Sequence, residues 1–227
     1  MREFAAAWAV VCAFGCATAP PQPPVVIAAL ALGPSERVAV QQIVSVFDAS
    51  ATIAQRGGFA AQKSVYRGFV SGMPDGDYAA GAVAFGGYAR QAVPLAPFSR
   101  TDLAQHAMGI APLGEGTPLD RVLGELRERL AGRGGRAAVV IWSDGSPSDP
   151  VGRETGTAPA LEAARALAAA HGGELCFHTV QAGDDAGGAA FLAALASLTP
   201  CGSQRALAEL RDPARLAEFV REVFLGR

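Results

Sequence analysis

Lysine is almost missing from this chain: Lys63 is the only one, and every other strong base is arginine. Beside so much alanine and glycine, that asymmetry reads as genomic codon bias rather than as an arginine-built site. No long basic run occurs and the formal net charge is -2, which excludes nucleic-acid binding through a broad phosphate-neutralising surface. Beyond Phe14 no apolar run is long enough to span a bilayer. There is no CxxC pair, and His106, His171 and His178 lack metal-ligand spacing. Neither a GxGxxG nor a GxxxxGK(S/T) phosphate loop is present. Ser146 and Ser148 lack the GxSxG elbow of a serine nucleophile. Internal repeats are also missing. Dinucleotide binding, P-loop phosphotransfer and elbow-type acyl transfer therefore find no support.

Cysteine is scarce too, with four in 227 residues. Cys12 and Cys16 belong to an N-terminal segment that reads as an export signal. Phe4 to Phe14 form an apolar run of about 11 residues, right for a signal core and too short for a span. Ala17-Thr18-Ala19 offers a small-x-small cleavage pattern, but Pro20 would follow the cut. Ala13-Phe14-Gly15-Cys16 resembles a bacterial lipobox, in which Cys16 would be lipidated. Residues 1–16 are thus read as a signal peptide with lipobox, an ordinary secreted protein being the alternative. Residues 17–35 are a proline-rich linker and N-terminal segment. Within it Val25 to Leu32 is apolar and fits either an edge strand or a docked tail. Cys176 and Cys201 remain for a domain over 36–227. An even pair in an oxidising compartment points to one disulfide, with metal ligation as the alternative.

From Glu36 onward strand-like and helix-like segments alternate. Val38 to Asp48, Tyr78 to Phe85, Tyr88 to Leu95, Arg136 to Ser143, Glu174 to Gln181 and Gln204 to Leu207 are predicted strands. The second and third are joined by Gly86-Gly87 and form an antiparallel hairpin. Ala137 to Trp142 is continuously apolar, as suits a central parallel strand buried on both faces. Helices are predicted over Phe59–Val70, Thr101–Met108, Thr117–Leu130, Thr157–His171 and Ala189–Leu198, with a last one starting at Asp212-Pro213. In that last helix Leu216, Phe219, Val220, Val223 and Phe224 repeat at helical spacing. The pattern predicts an α/β fold: a doubly wound, mostly parallel six-stranded sheet, one antiparallel edge strand, and helices on both faces. Ligands of such sheets sit beyond the carboxyl ends of the strands, where strand order reverses.

Three short motifs fall in that zone: Asp48-Ala49-Ser50-Ala51-Thr52, Gly114-Glu115-Gly116-Thr117-Pro118-Leu119, and Ser143-Asp144-Gly145. Taken singly, each has a plain reading. Asp48 and Ser50 suit a turn, Thr117 suits a helix N-cap with Asp120 as the capping acid, and Asp144-Gly145 suits a turn. In this order, over residues 36 to 225, they resemble the von Willebrand factor A family and its metal-ion-dependent adhesion site. That site uses a DxSxS loop, a threonine and a second aspartate. The resemblance implies Asp48, Ser50, Thr52, Thr117 and Asp144 as ligands, directly or through water. Thr52 stands where the family has serine, and Ala51 where glycine is often seen. A hard cation wants about six oxygens, so the implied metal is Mg²⁺, with Mn²⁺ or Ca²⁺ as alternatives.

Few direct carboxylates leave such an ion electrophilic. The resemblance therefore implies a metal-dependent protein-binding domain, not an enzyme, whose partner is a protein or peptide presenting an acidic residue. It further implies a lipoprotein of the bacterial cell envelope, at the periplasmic face of the outer membrane, touching membrane only through its lipid anchor. A secreted or soluble periplasmic protein is the alternative. Periplasmic lipoproteins of this family carry a similar cysteine pair, which supports Cys176–Cys201 as a staple. Two other readings compete: a structural domain with a silent metal site, and a metal-dependent phosphohydrolase with Asp48 as nucleophile. The latter wants a second acid two residues on, where Ser50 stands, and a lysine nearby.

Overall fold

The computed structural model describes residues 24–226 apart from residues 57 and 173. The signal and lipobox readings, Cys16 included, lie outside them. The apolar runs become strands buried along their whole length. β1 (Gln42–Asp48) and β4 (Ala137–Ser143) have all seven residues buried. Side chains of a strand alternate between faces, and β4 sorts accordingly. Ala138, Val140 and Trp142 enter one core, and Ala137, Val139 and Ile141 enter the other.

β2 (Ala79–Gly86), β3 (Ala89–Pro97), β5 (Leu175–Gln181) and β6 (Ser203–Ala206) complete a sheet of order β3-β2-β1-β4-β5-β6. Five strands are parallel and the edge strand β3 is antiparallel. The fold class is thus the one the alternation predicts. From β1 the chain steps outward to β2 and β3, then returns to β4 on the other side of β1. Strand order reverses between β1 and β4, so a crevice opens at their carboxyl ends.

Among the described residues seven α-helices surround the sheet: α1 (Ala51–Gln55), α2 (Phe59–Gly72), α3 (Arg100–Gly109), α4 (Leu119–Leu130), α5 (Ala158–Ala170), α6 (Ala186–Ala196) and α7 (Pro213–Leu225). Buried residues of α2, α3 and α7 join one core and those of α4, α5 and α6 the other. In α4, Leu119, Val122, Leu123, Leu126 and Leu130 are all buried; each such side chain contributes about 1.5–3 kcal/mol. Asp212 caps α7, accepting the amides of Ala214 at 2.8 Å and Arg215 at 3.2 Å.

Residues 25–30 form no strand and dock instead. The Val25 amide donates to Ser64 Oγ at 2.9 Å and the Leu30 amide to the Gly72 carbonyl at 2.9 Å. Gly68 and Gly72 of α2 make this possible, since a Cβ on Gly68 would lie 2.9 Å from the Val25 carbonyl. Cys176 and Cys201 form a disulfide with Cα atoms 5.2 Å apart. It ties the start of β5 to the turn before β6. Closing that 25-residue separation restricts the unfolded chain by roughly 3 kcal/mol.

Candidate metal centre

Asp48 is the last residue of β1 and is fully buried. Its Oδ1 accepts the Ser50 amide at 3.0 Å and its Oδ2 accepts the Ser143 hydroxyl at 2.7 Å. Ser143 Oγ in turn accepts the Gly145 amide at 3.1 Å. Asp144 follows β4 and is also buried. Its Oδ1 accepts the Ser146 amide at 3.0 Å, and its Oδ2 receives Arg56 Nη1 at 3.0 Å. Ser50 Oγ and Thr52 Oγ1 lie 2.9 Å apart and share a hydrogen bond. Ser50 is the N-cap of α1, yet its side chain caps nothing. Its hydroxyl is therefore free of the helix-capping duty such residues usually perform.

The loop bearing Thr117 is stitched to both others. The Leu113 amide donates to the Ala49 carbonyl at 2.9 Å, and the Ala51 amide to the Gly114 carbonyl at 2.6 Å. On its other side the Thr117 amide donates to Ser148 Oγ at 2.8 Å, and the Ser148 amide to the Thr117 carbonyl at 3.1 Å. The N-cap reading of Thr117 is corrected here. Pro118 holds the N-cap position of α4 with no side-chain cap. Pro118 has a ψ of 65°, outside the helical range, so the helix starts at Leu119. Among the described residues the buried Thr117 Oγ1 has no hydrogen-bond partner, a costly state for a hydroxyl.

Charge is out of balance at this crevice. Burial first, then the neighbouring Asp144 carboxylate, push Asp48 up to about 7, against the opposing hydrogen bonds from Ser143 and Ser50. Burial also raises Asp144, while the Ser146 amide and Arg56 oppose it. Of the two buried carboxylates, Asp144 has Arg56 as its ion-pair partner, while Asp48 is held by hydrogen bonds from Ser143 and Ser50. Unpaired buried charge is expensive, so further positive charge in this crevice would be stabilising.

The donor set fits a hard divalent cation. Every candidate atom is oxygen, two of the groups are acids, and Thr117 has a buried hydroxyl with nothing to bind. Among the described residues no three of His, Cys, Asp and Glu cluster as a metal site. Two carboxylates with three hydroxyls is the composition that suits Mg²⁺ rather than a softer ion.

The other candidates have structural duties. His106 Nε2 contacts the Gln91 carbonyl, His171 Nε2 the Gly135 carbonyl, and His178 Nδ1 the Ser203 hydroxyl. Lys63 donates to the Ile110 carbonyl at 2.6 Å. Asp75 pairs with Arg100 at 2.6 Å. Asp185 caps α6 through the Gly188 amide at 2.6 Å.

Three contributors escape the sequence pattern. Arg56 sits at the end of the five-residue α1, too short to show a period. Ser143 stands in its motif without any sign that it holds Asp48. Gln62 donates to the carbonyls of Asp48 at 3.2 Å and Trp142 at 3.0 Å, joining the ends of β1 and β4. Its signal is present in the sequence: an uncharged polar residue in line with Val65 and Phe69 on the buried stripe of α2.

No family model matches the chain, and no curated protein matches it. Solved structures do. The von Willebrand factor domain of the type V pili tip protein Mfa5 from Porphyromonas gingivalis is 12% identical, with a TM-score of 0.63 over 82% of this chain and 96% of that one. The von Willebrand factor type A structure from Catenulispora acidiphila is 17% identical, with a TM-score of 0.59 over 81% of this chain and 42% of that one. Proximal thread matrix protein 1 from the mussel byssus is 20% identical, with a TM-score of 0.58 over 83% of this chain and 49% of that one. The chain thus spans about half the length or less of the last two. It has the fold of von Willebrand factor A domains.

Proposed function

We propose that this domain binds Mg²⁺, or alternatively Mn²⁺ or Ca²⁺, through Asp48, Ser50, Thr52, Thr117 and Asp144. The cation then holds the carboxylate of a protein or peptide partner at the bacterial cell envelope. The observation that carries this reading is the crevice between β1 and β4. Two buried carboxylates lie there beside hydroxyls that cap no helix, and among the described residues the Thr117 hydroxyl has no hydrogen-bond partner. The hydroxyls add no charge, and a six-oxygen shell that these five groups do not fill leaves a position for the partner's carboxylate. Binding, not turnover, is the proposed activity. Ser50 stands where a phosphohydrolase wants its second acid, and Lys63 is engaged with Ile110. The pilus-tip origin of one fold relative agrees with an adhesive role. Anchorage through Cys16 belongs to the same proposal. Among the described residues no helix is long and apolar enough to cross a membrane.

Titration of Mg²⁺ and Mn²⁺ into the protein and into Asp48→Ala tests this. Wild type should bind one ion and the variant none, with the variant still folded by circular dichroism. A wild type that binds no ion would remove the proposal. A second reading, a structural domain with a silent site, has one observation in its favour: Arg56 already compensates Asp144. Under that reading Asp48→Ala changes no binding.

A further inference from the structure

We infer that Arg56 is a built-in competitor of the cation, occupying the Asp144 oxygen that the metal needs and so setting the affinity of the site. The inference rests on the metal reading above and deepens it. Asp144 has two oxygens. Oδ1 is held by a backbone amide, that of Ser146, at 3.0 Å. Oδ2 is held by the Arg56 guanidinium at 3.0 Å. The side-chain partner is the one that can leave without rearranging the loop.

Arg56 is suited to leaving. Its side chain is 59% exposed while that of Asp144 is 3% exposed, so the arginine can regain water and the aspartate cannot. Among the described residues its ion pair with Asp144 is the one it makes. A cavity of about 470 Å³ adjoins the pair, lined by Arg56, Asp144, Gly183, Asp184 and Asp185 among others. Asp184 and Asp185 add negative charge to its lining, the latter also capping α6. The departure costs the ion pair of a buried carboxylate, and it is offset only when the incoming cation takes over the charge of Asp144. Staying is also costly, because a guanidinium and a divalent ion on one carboxylate repel at contact distance.

The consequence is a site that is charge-compensated without metal and opens when a cation displaces the arginine. Cation binding must work against the Arg56 pair, so affinity is lower than the oxygen set alone would give. Arg56→Gln keeps most of the length and polarity of the side chain and removes its charge.

The test is calorimetric titration of Mn²⁺ into the wild-type protein and into R56Q at matched ionic strength. R56Q should bind with a Kd about tenfold lower, which corresponds to about 1.4 kcal/mol. Binding by wild type with equal or weaker binding by R56Q overturns the role of Arg56 and leaves the metal reading standing. Absence of binding in both proteins overturns the metal reading, and this inference with it. Binding detected in R56Q alone upholds Arg56 as the competitor and overturns metal binding by the native protein.

Discussion

Hydrogen bonds from Ser143 and Ser50 hold the Asp48 carboxylate, yet burial and Asp144 still push it up to about 7. The sign of the resulting pH effect follows from linkage. In the unfolded chain this acid titrates near 3.8. The native state favours the protonated form, so that contribution is fully present below about pH 4. It is lost as pH rises through about 7, and each tenfold change in the protonation equilibrium is worth about 1.4 kcal/mol. Asp48→Asn cannot titrate. Without metal, wild type should therefore lose stability relative to D48N between pH 4 and 7, read by urea unfolding at each pH. Saturating Mg²⁺ should flatten that difference, because the ion takes the place of the proton. A metal-free difference that does not vary with pH contradicts the electrostatic account. At this scale the sequence is readable where chemistry coincides with a boundary. Asp48, Ser50 and Asp144 each stand where an apolar strand run stops. Arg56 is not readable, since its importance comes from a contact 88 positions away in sequence. The free hydroxyl of Thr117 is hidden too, because the same residues spell a helix cap.

Elements bring the carboxylates into one crevice, and α2 is the element that fixes their spacing. Gln62 is fully buried and reaches from α2 to the carbonyls at the ends of β1 and β4. Those carbonyls belong to Asp48 itself and to Trp142, two residues before Asp144. Gln62→Leu keeps the volume and leaves both carbonyls without that donor, at a cost of about 1–3 kcal/mol. The melting temperature should fall by about 2–4 °C per kcal/mol lost in a domain of this size. Mn²⁺ affinity should fall with it, because the strand ends are no longer tied together. Unchanged Mn²⁺ affinity in a destabilised Q62L would limit Gln62 to a packing role. Elements with a long, consistent period are legible in advance. The stripe of α4, the capped start of α7 and the apolar run of β4 all appear where their periodicity places them. The short α1 is not legible, since five residues complete little more than one turn. Residues 38–41 look like strand but pair outside the ladder, with Ala39 bonding to the end of α7. Residues 25–32 have no assignment from sequence, because a short apolar run without a period fits strand and docked tail equally.

At the scale of the whole molecule, function follows from topology. One reversal of strand order, between β1 and β4, puts acids from positions 48 and 144 into the same crevice. The loop after α3 closes it from the side and is bonded to both neighbours. The fold class is legible because alternating strands and helices have few ways to bury both faces of a sheet. What the sequence leaves open is whether separate loops offer their oxygens to a single point, which depends on register and side-chain direction. The most direct test is a crystal soaked with Mn²⁺ and measured at a wavelength where manganese scatters anomalously. The account predicts one strong peak enclosed by the oxygens of Asp48, Ser50, Thr52, Thr117 and Asp144, with the Arg56 side chain turned away from Asp144. A saturated crystal with no peak in that crevice, or with manganese bound only elsewhere, would contradict it.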